Sequence, residues 1–182
     1  MKELSLHILD LVQNSIRANA DRIEIQVTEN IKLDQYCIEI IDNGCGMDEE
    51  TLKKAIDPYF TSRTTRKVGL GLSLFKQNAE LTGGSMSISS EPGKGTRVSA
   101  IFGHTHLDRP MMGDIAGTII LLAVSNPSIS FRYRHQTDSG SYCFDTQEIK
   151  EALGEIPLSN SEIKHYLEDM ILENLKSIHY SN

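Results

Sequence analysis

Cysteine is scarce in this sequence, and its spacing excludes the common disulfide and zinc patterns. The three cysteines are Cys37, Cys45 and Cys143, and no two of them form a C-x-x-C pair. An odd number of widely separated cysteines is typical of reduced thiols in the cytosol. We therefore expect a cytoplasmic protein whose core forms without covalent cross-links.

Long apolar runs are also missing. The longest, at 115–124, is interrupted by Gly117 and Thr118, and it is shorter than the roughly 20 residues that a membrane span requires. The N-terminus lacks the basic segment followed by an apolar stretch that marks a signal peptide. Neither membrane insertion nor secretion is expected.

Positive charge is in deficit. The 18 Lys and Arg residues are outnumbered by 25 Asp and Glu, which gives a formal net charge of −7. A field of this sign repels phosphate backbones, so a nucleic-acid partner is not expected. Any nucleotide site must gather its positive charge locally.

Hydrophobic periodicity predicts an α/β chain in two parts. Up to residue 103 the predicted helices are 3–18, 49–56 and 69–81, and the predicted strands are 22–28, 36–41, 85–90 and 96–102. After a change of composition at 104–112, we predict a helix at 113–124, a hairpin of strands 128–135 and 141–144, a helix at 147–153 and an amphipathic last helix. The sequence SNSE at 159–162 matches a capping box for that last helix.

Four short motifs occur in order along the first part. They are DLVQNS at 10–15, IDNGCGM at 41–47, VGLGLS at 68–73 and PGKGT at 92–96. Asp42 follows a strand and can accept a hydrogen bond from an exocyclic amine, as adenine offers. Gly44 and Gly46 allow the backbone to approach a flat ring. Gly69 and Gly71 precede a helix whose free N–H groups can hold phosphate oxygens.

The polar face of the first helix adds the remaining groups. Asn14 offers an amide oxygen to Mg²⁺, and Asp10, one turn earlier, can act as a catalytic base. Arg17 lies on the same face. Together with Arg63, Arg66 and Lys67 of segment 59–68, it supplies the positive charge that phosphates need.

The order of these motifs resembles the GHKL superfamily of gyrase-type, chaperone, histidine-kinase and mismatch-repair ATPases. Residues 10–14 are similar to its N box, 42–46 to its G1 box, 59–62 to the kinase F box, 69–71 to the G2 box and 93–96 to the closing motif. The resemblance implies a two-layer α/β sandwich, with a mixed sheet covered by helices on one face, and a short ATP lid at 59–68. It also implies an ATP-binding domain at 1–103 with an α+β extension at 104–182. The implied ATP contacts are Asn14, Arg17, Asp42, Gly44, Gly46, Met47, Tyr59, Thr61, Gly69, Leu70, Gly71, Leu72 and Thr96, with lid contacts from Arg63, Arg66 and Lys67.

The chain departs from the superfamily pattern in two respects. Many members carry Glu where this chain has Asp10, which is one methylene shorter. No helical dimerisation segment precedes the ATP domain, and no phosphoacceptor motif surrounds His7. An ordinary self-phosphorylating sensor kinase is therefore not expected.

Each candidate also has a structural interpretation. The glycine turn after Asp42 could be a plain tight turn, and Arg17 a surface residue. His7 is expected to be structural rather than a ligand of phosphate. The segment 104–108, with His104, His106 and Asp108, resembles a metal-ligand set but more simply ends a strand.

We expect a Mg-ATP-binding regulatory protein that transfers the γ-phosphate to a separate partner protein. The alternatives are a slow ATPase that acts as a nucleotide-driven switch, and a non-catalytic sensor that holds a partner as an anti-sigma factor does. The amphipathic last helix offers a surface for a homodimer.

Overall fold

A six-stranded mixed sheet forms the centre of the protein. The structure, a computed structural model, describes residues 3–56 and 70–179. The strands are β1 (Arg22–Asn30), β2 (Gln35–Asp42), β3 (Ser85–Glu91), β4 (Gly95–Gly103), β5 (Ser130–Gln136) and β6 (Ser141–Asp145). Their order is β3-β4-β2-β1-β5-β6. The β1–β5 pair is parallel, whereas the other neighbours are antiparallel.

The strands form because apolar and polar residues alternate along them. In β1, Ile23, Ile25 and Val27 are buried, and the residues between them are more exposed. The strand register places Phe131 beside Ile23 and Ile40 beside Ile25, so the buried side chains share one face of the sheet. That face carries the hydrophobic core.

The described part of the chain forms six helices beside the sheet. They are α1 (Leu4–Arg17), α2 (Glu49–Ile56), α3 (Leu70–Leu81), α4 (Ile115–Ser125), α5 (Thr146–Leu153) and α6 (Ser161–His179). The first of them, α1, contacts α3, α4, β1 and β2. Its buried stripe contains Leu4, Ile8, Leu11 and Val12, so α1 lies centrally on the apolar face of the sheet. The expected α/β sandwich with a mixed sheet is confirmed. No helix among residues 3–56 and 70–179 has both the length and the apolar content to cross a bilayer.

The second part of the chain completes the same sheet. The hairpin of β5 and β6 extends it beyond β1, so the boundary predicted after residue 103 falls between elements that share one sheet. Asp114 caps α4, with its side chain accepting a hydrogen bond from the Gly117 N–H, and the helix begins two residues later than predicted. The capping box predicted at 159–162 is wrong, because the cap of α6 is Asn160, whose Oδ1 accepts from the N–H groups of Glu162 and Ile163.

A polar cluster fastens the end of α6 to the sheet. Glu29 Oε1 accepts hydrogen bonds from His135 Nε2 and His179 Nε2, both at 2.7 Å. Its Oε2 lies 2.8 Å from His104 Nε2. Burial raises the pKa of Glu29, but the hydrogen bonds from the three histidines outweigh it and lower that pKa to about 2. We call these four residues the Glu29 cluster.

Candidate functional site

A mainly apolar cavity of about 230 Å³ opens between α1, the sheet and the turn that follows β2. Seven of the predicted site residues line it: Asn14, Arg17, Asp42, Gly46, Met47, Leu72 and Thr96. Its walls also include Leu11, Ile40, Ile88 and Val98. An apolar cleft with a few polar groups at its margins is the usual form of a small-ligand site.

Asp42 is held in this cavity by three hydrogen bonds. Its Oδ1 accepts from the Gly44 N–H at 2.9 Å and the Thr96 N–H at 3.2 Å. Its Oδ2 accepts from the Ser15 hydroxyl at 2.6 Å. A carboxylate has about four acceptor positions, so one position on Oδ2 is left for a ligand. The carboxylate is therefore rigid and still able to accept one further N–H.

The glycine turn after Asp42 is tied to the β3–β4 hairpin. Gly46 has φ +66°, and a Cβ there would lie 2.0 Å from the backbone oxygen of Glu91. Only glycine fits this close approach. The next residue, Met47, donates its N–H to Ser90 Oγ at 2.8 Å. The close contact explains why the turn needs a glycine at position 46.

Asn14 and Arg17 stand together at the cavity margin. The Asn14 side chain is half-buried and Arg17 is exposed. The Arg17 guanidinium donates to Asn14 Oδ1 at 3.3 Å, so this amide oxygen already faces a positive charge. A neutral amide oxygen in this position fits a hard cation such as Mg²⁺. Arg17 is also the one cationic side chain among the described residues that line the cavity.

Asp10 lies next to the cavity, but it does not line it. Its carboxylate packs on Gly71, where a Cβ would lie 1.8 Å from Asp10 Oδ2. Leu70 begins α3, so Asp10 places a negative charge beside the N-terminal turn of that helix. Asp10 also lines a separate groove of about 420 Å³ between α1 and α4.

Several predicted site residues lie outside the described residues. These are Tyr59, Thr61, Arg63, Arg66, Lys67 and Gly69. The predicted lid, and with it most of the predicted positive charge, stays a prediction.

Two contacts to the site residues were not predicted from the sequence. Ser15 holds Asp42, and Ser90 holds Met47. Ser15 could have been noticed, because it occupies a position of the buried stripe of α1 where an apolar residue is expected. Ser90 gave a similar signal, because it follows Met86 and Ile88 at the position of β3 where the alternation predicts an apolar residue.

The histidines named from the sequence are His7 and those of segment 104–108, and each makes hydrogen bonds within the fold. His7 is buried, and its Nε2 lies 2.8 Å from Asn78 Nδ2 of α3. His104 joins Glu29, whereas His106 Nδ1 accepts from the N–H of Asp108. Segment 104–108 does not assemble as one ligand set. Among the described residues, the group that could hold a metal is Glu29, His135 and His179.

Sequence comparisons find similarity to sensor proteins and sensor kinases. Over 103 residues the chain is 36% identical to a putative sensor protein of Shewanella frigidimarina, a match that covers 56% of this chain and 16% of the relative. It is 32% identical to the sensor histidine kinase YxdK of Bacillus subtilis, over 56% of this chain and 33% of the relative. It is 35% identical to the signal transduction histidine-protein kinase ArlS of Staphylococcus aureus, over 52% of this chain and 22% of the relative. The chain thus spans a third or less of these curated relatives.

A structural comparison supports the fold. The N-terminal domain of a DNA repair protein superposes with a TM-score of 0.57 and 21% sequence identity. The match covers 80% of this chain and 52% of that protein. At this identity the likeness concerns the fold alone.

The family follows from residues 2–106, more than half of the chain, which match the profile of histidine kinase-, DNA gyrase B- and HSP90-like ATPases. This range contains Asp10, Asn14, Asp42 and the glycines of the cavity turn. The chain belongs to this ATPase family, and it carries an ATP-binding domain of the histidine-kinase-like type.

Proposed function

We propose that this chain binds Mg-ATP in the Asp42 cavity and transfers the γ-phosphate to a separate protein. The observation that carries this proposal is the hydrogen bonding of Asp42, which fixes both carboxylate oxygens and leaves one acceptor position on Oδ2. In the proposal the adenine amine donates to that position. A guanine has a carbonyl at the corresponding place, so the site discriminates against GTP.

The cavity walls suit the rest of the adenine ring. Adenine is flat and mostly apolar on its faces, and Ile40, Leu72, Ile88 and Val98 offer apolar surface around it. Burial of this surface contributes roughly 25 cal/mol per Å² of apolar area. Gly46 and Met47 also line the cavity, and position 46 offers the ring backbone without a side chain.

Asn14 and Arg17 serve the phosphates. Asn14 Oδ1 is the proposed magnesium ligand, and Arg17 turns from that oxygen towards the phosphate charge. Magnesium bound there would neutralise charge on the phosphate oxygens. The N–H groups at the start of α3 add to this, because a helix N-terminus favours anions. Arg63, Arg66 and Lys67 are proposed to complete the site from the lid.

Asp10 is the proposed base. Its carboxylate lies against Gly71, beside the helix end that holds the phosphates in the proposal. There it orients the acceptor group of the partner and takes a proton from an attacking hydroxyl. The bond between the γ-phosphorus of ATP and its β–γ bridging oxygen then breaks, the γ-phosphoryl group bonds to that acceptor, and ADP leaves.

The groove beside Asp10 favours a protein as the acceptor. It is lined by Asp10, Leu6, Leu9 and Leu121, and Leu6 and Leu121 are 43% and 53% exposed. Exposed leucines around a candidate base provide apolar surface on which a partner segment can rest. The similarity to sensor histidine kinases also supports phosphate transfer to protein.

A slow ATPase is the second candidate. The same Asp10 carboxylate could orient water instead of a protein group, since the groove that it lines is open. A non-catalytic nucleotide sensor is the third candidate, and it requires that Asp10 has no catalytic effect.

The test begins with titration calorimetry of ATP, ADP and GTP in Mg²⁺ on the full chain. Labelled γ-phosphate is then followed in two products: free phosphate, and protein bands in fractions of a bacterial lysate. We expect adenine-selective binding and an Asp10-dependent label on a protein other than this chain. Binding without adenine selectivity would contradict the site. Asp10-dependent free phosphate without labelled protein would support the ATPase, and neither product would support the sensor.

A further inference from the structure

The Glu29 cluster joins four elements that are far apart in the sequence. Glu29 lies near the end of β1, His135 near the end of β5, His104 directly after β4, and His179 at the last position of α6. The ligand atoms of Glu29, His135 and His179 all lie within 4.8 Å of one another. Both imidazoles meet the same carboxylate oxygen, Glu29 Oε1.

The Nδ1 atoms of both imidazoles are hydrogen-bonded to groups other than Glu29. His179 Nδ1 lies 2.6 Å from the backbone oxygen of Leu175. A carbonyl can only accept, so this nitrogen carries a proton. His135 Nδ1 lies 2.7 Å from the hydroxyl of buried Tyr133. Metal-ligating histidines usually have this arrangement, in which one ring nitrogen binds the metal and the other is hydrogen-bonded to a neighbouring group.

We propose that Glu29, His135 and His179 bind a divalent transition ion of the zinc type. The ligands would be Glu29 Oε1 and the two Nε2 atoms. His104 is a positioning residue, since its Nε2 donates to the other carboxylate oxygen. A fourth position, on the side of His179, is open to water. Imidazole and carboxylate ligands with one open position are typical of zinc and related ions.

The cluster needs little movement to accept the ion. Zinc bonds of about 2.0 Å to nitrogen and oxygen, in tetrahedral geometry, place neighbouring ligand atoms about 3.3 Å apart. The two Nε2 atoms now lie 2.7 Å from Oε1, so each needs to move outward by about 0.6 Å.

The protons also balance. His179 donates from both ring nitrogens in the metal-free cluster, so it is an imidazolium, and the ion releases its Nε2 proton to solvent. His135 donates from Nε2 in the metal-free cluster, so its proton must move to Nδ1 when the ion binds Nε2, and the Tyr133 hydroxyl must turn from donor to acceptor.

The ion can reach the cluster through His179. The side chains of His135 and Glu29 are 3% and 10% exposed, whereas His179 is 37% exposed. An ion bound here would fix the end of α6 to the sheet. It would therefore stabilise the native state, and the stabilisation would grow with the logarithm of the free ion concentration above the dissociation constant.

The experiment titrates ZnCl₂ into untagged, chelator-treated full chain without nucleotide, and follows heat and the thermal unfolding temperature. The test variants are His179→Gln and Glu29→Gln, and the matched control is His165→Gln. His165 is an exposed histidine on the same helix, α6, and the control keeps all three cysteines. The unfolding temperature of each metal-free variant shows whether the variant is folded.

We expect one Zn²⁺ per chain in wild type and in His165→Gln, with a raised unfolding temperature. His179→Gln and Glu29→Gln should bind more weakly by more than the roughly 10–100-fold that loss of a supporting group costs. His104→Gln should fall within that 10–100-fold range. Equal zinc affinity in wild type and His179→Gln, or no stoichiometric binding in wild type, would overturn the proposal.

Discussion

The substitution Asp42→Asn tests the nucleotide site most directly, because it changes one atom and retains the shape of the side chain. The amide oxygen can replace Oδ1 and accept from the N–H groups of Gly44 and Thr96. The amide NH₂ then takes the place of Oδ2. It meets the Ser15 hydroxyl, which must turn and accept, and it presents a donor to the amine of adenine.

The size of the effect follows from these contacts. A hydrogen bond to a charged group contributes about 1.5–3 kcal/mol, and a buried donor left without an acceptor costs about 1–3 kcal/mol. The two terms together give about 2.5–6 kcal/mol. This corresponds to at least about 60-fold in the dissociation constant of ATP.

Titration calorimetry with ATP and ADP measures this loss, and circular dichroism during heating verifies the fold of the variant. Ser15→Ala is the matched control, since it removes one hydrogen bond to Oδ2 but leaves the acceptor, and we expect a loss of about tenfold or less. ATP affinity within a few-fold of wild type in folded Asp42→Asn would refute the assignment of Asp42 to the adenine amine.

Three further predictions concern Asp10 as the catalytic base, the groove beside it, and the glycine turn after Asp42. Asp10→Asn should bind ATP at least as tightly as wild type, because it removes a negative charge beside the phosphates, but it should lose phosphate transfer; undiminished transfer would exclude Asp10 as the base. Leu121→Lys should reduce labelling of a protein partner and leave ATP binding unchanged, and equal labelling by both proteins would exclude the groove as the docking surface. Gly46→Ala should lower the unfolding temperature much more than Gly93→Ala does. Both glycines have positive φ, but of the two only a Cβ at position 46 would meet backbone, 2.0 Å from the oxygen of Glu91. Similar unfolding temperatures for the two variants would show that this close approach costs little stability.

Local elements of the fold could be predicted from periodicity. The stripe of α1 and the alternation of β1 and β2 place their buried residues on the faces that the structure shows. The β5–β6 hairpin was also predicted, because its turn residues occur between two alternating segments. The parallel pairing of β5 with β1 could not be predicted. Alternation shows which face of a strand is buried, but it does not show which strand lies beside it.

The candidate site was predictable to the extent that its groups occur in motifs. Asp42, Gly46 and Asn14 were named from the motifs and line the cavity. The hydrogen bonds that orient Asp42 come from Ser15 and Thr96, which are 27 and 54 positions away. Such contacts depend on the packing of α1 and the β2–β4 register. The Glu29 cluster was missed for the same reason, because its partners lie 75 to 150 positions apart.

The two proposed sites lie at opposite ends of β1, which makes their tests separable. Asp42 pairs with Ile23 at the start of that strand, and Glu29 comes six residues later, about 20 Å away. Zinc at Glu29 therefore has no direct contact with adenine. One physical route leads towards the groove, since α6 packs on α4, and α4 lines the groove beside Asp10. If zinc affects the ATP reaction, it should change phosphate transfer to a docked partner and leave ATP affinity as it is. A zinc-dependent change in ATP affinity that persists in His179→Gln would come from zinc bound with the nucleotide, not from the Glu29 cluster.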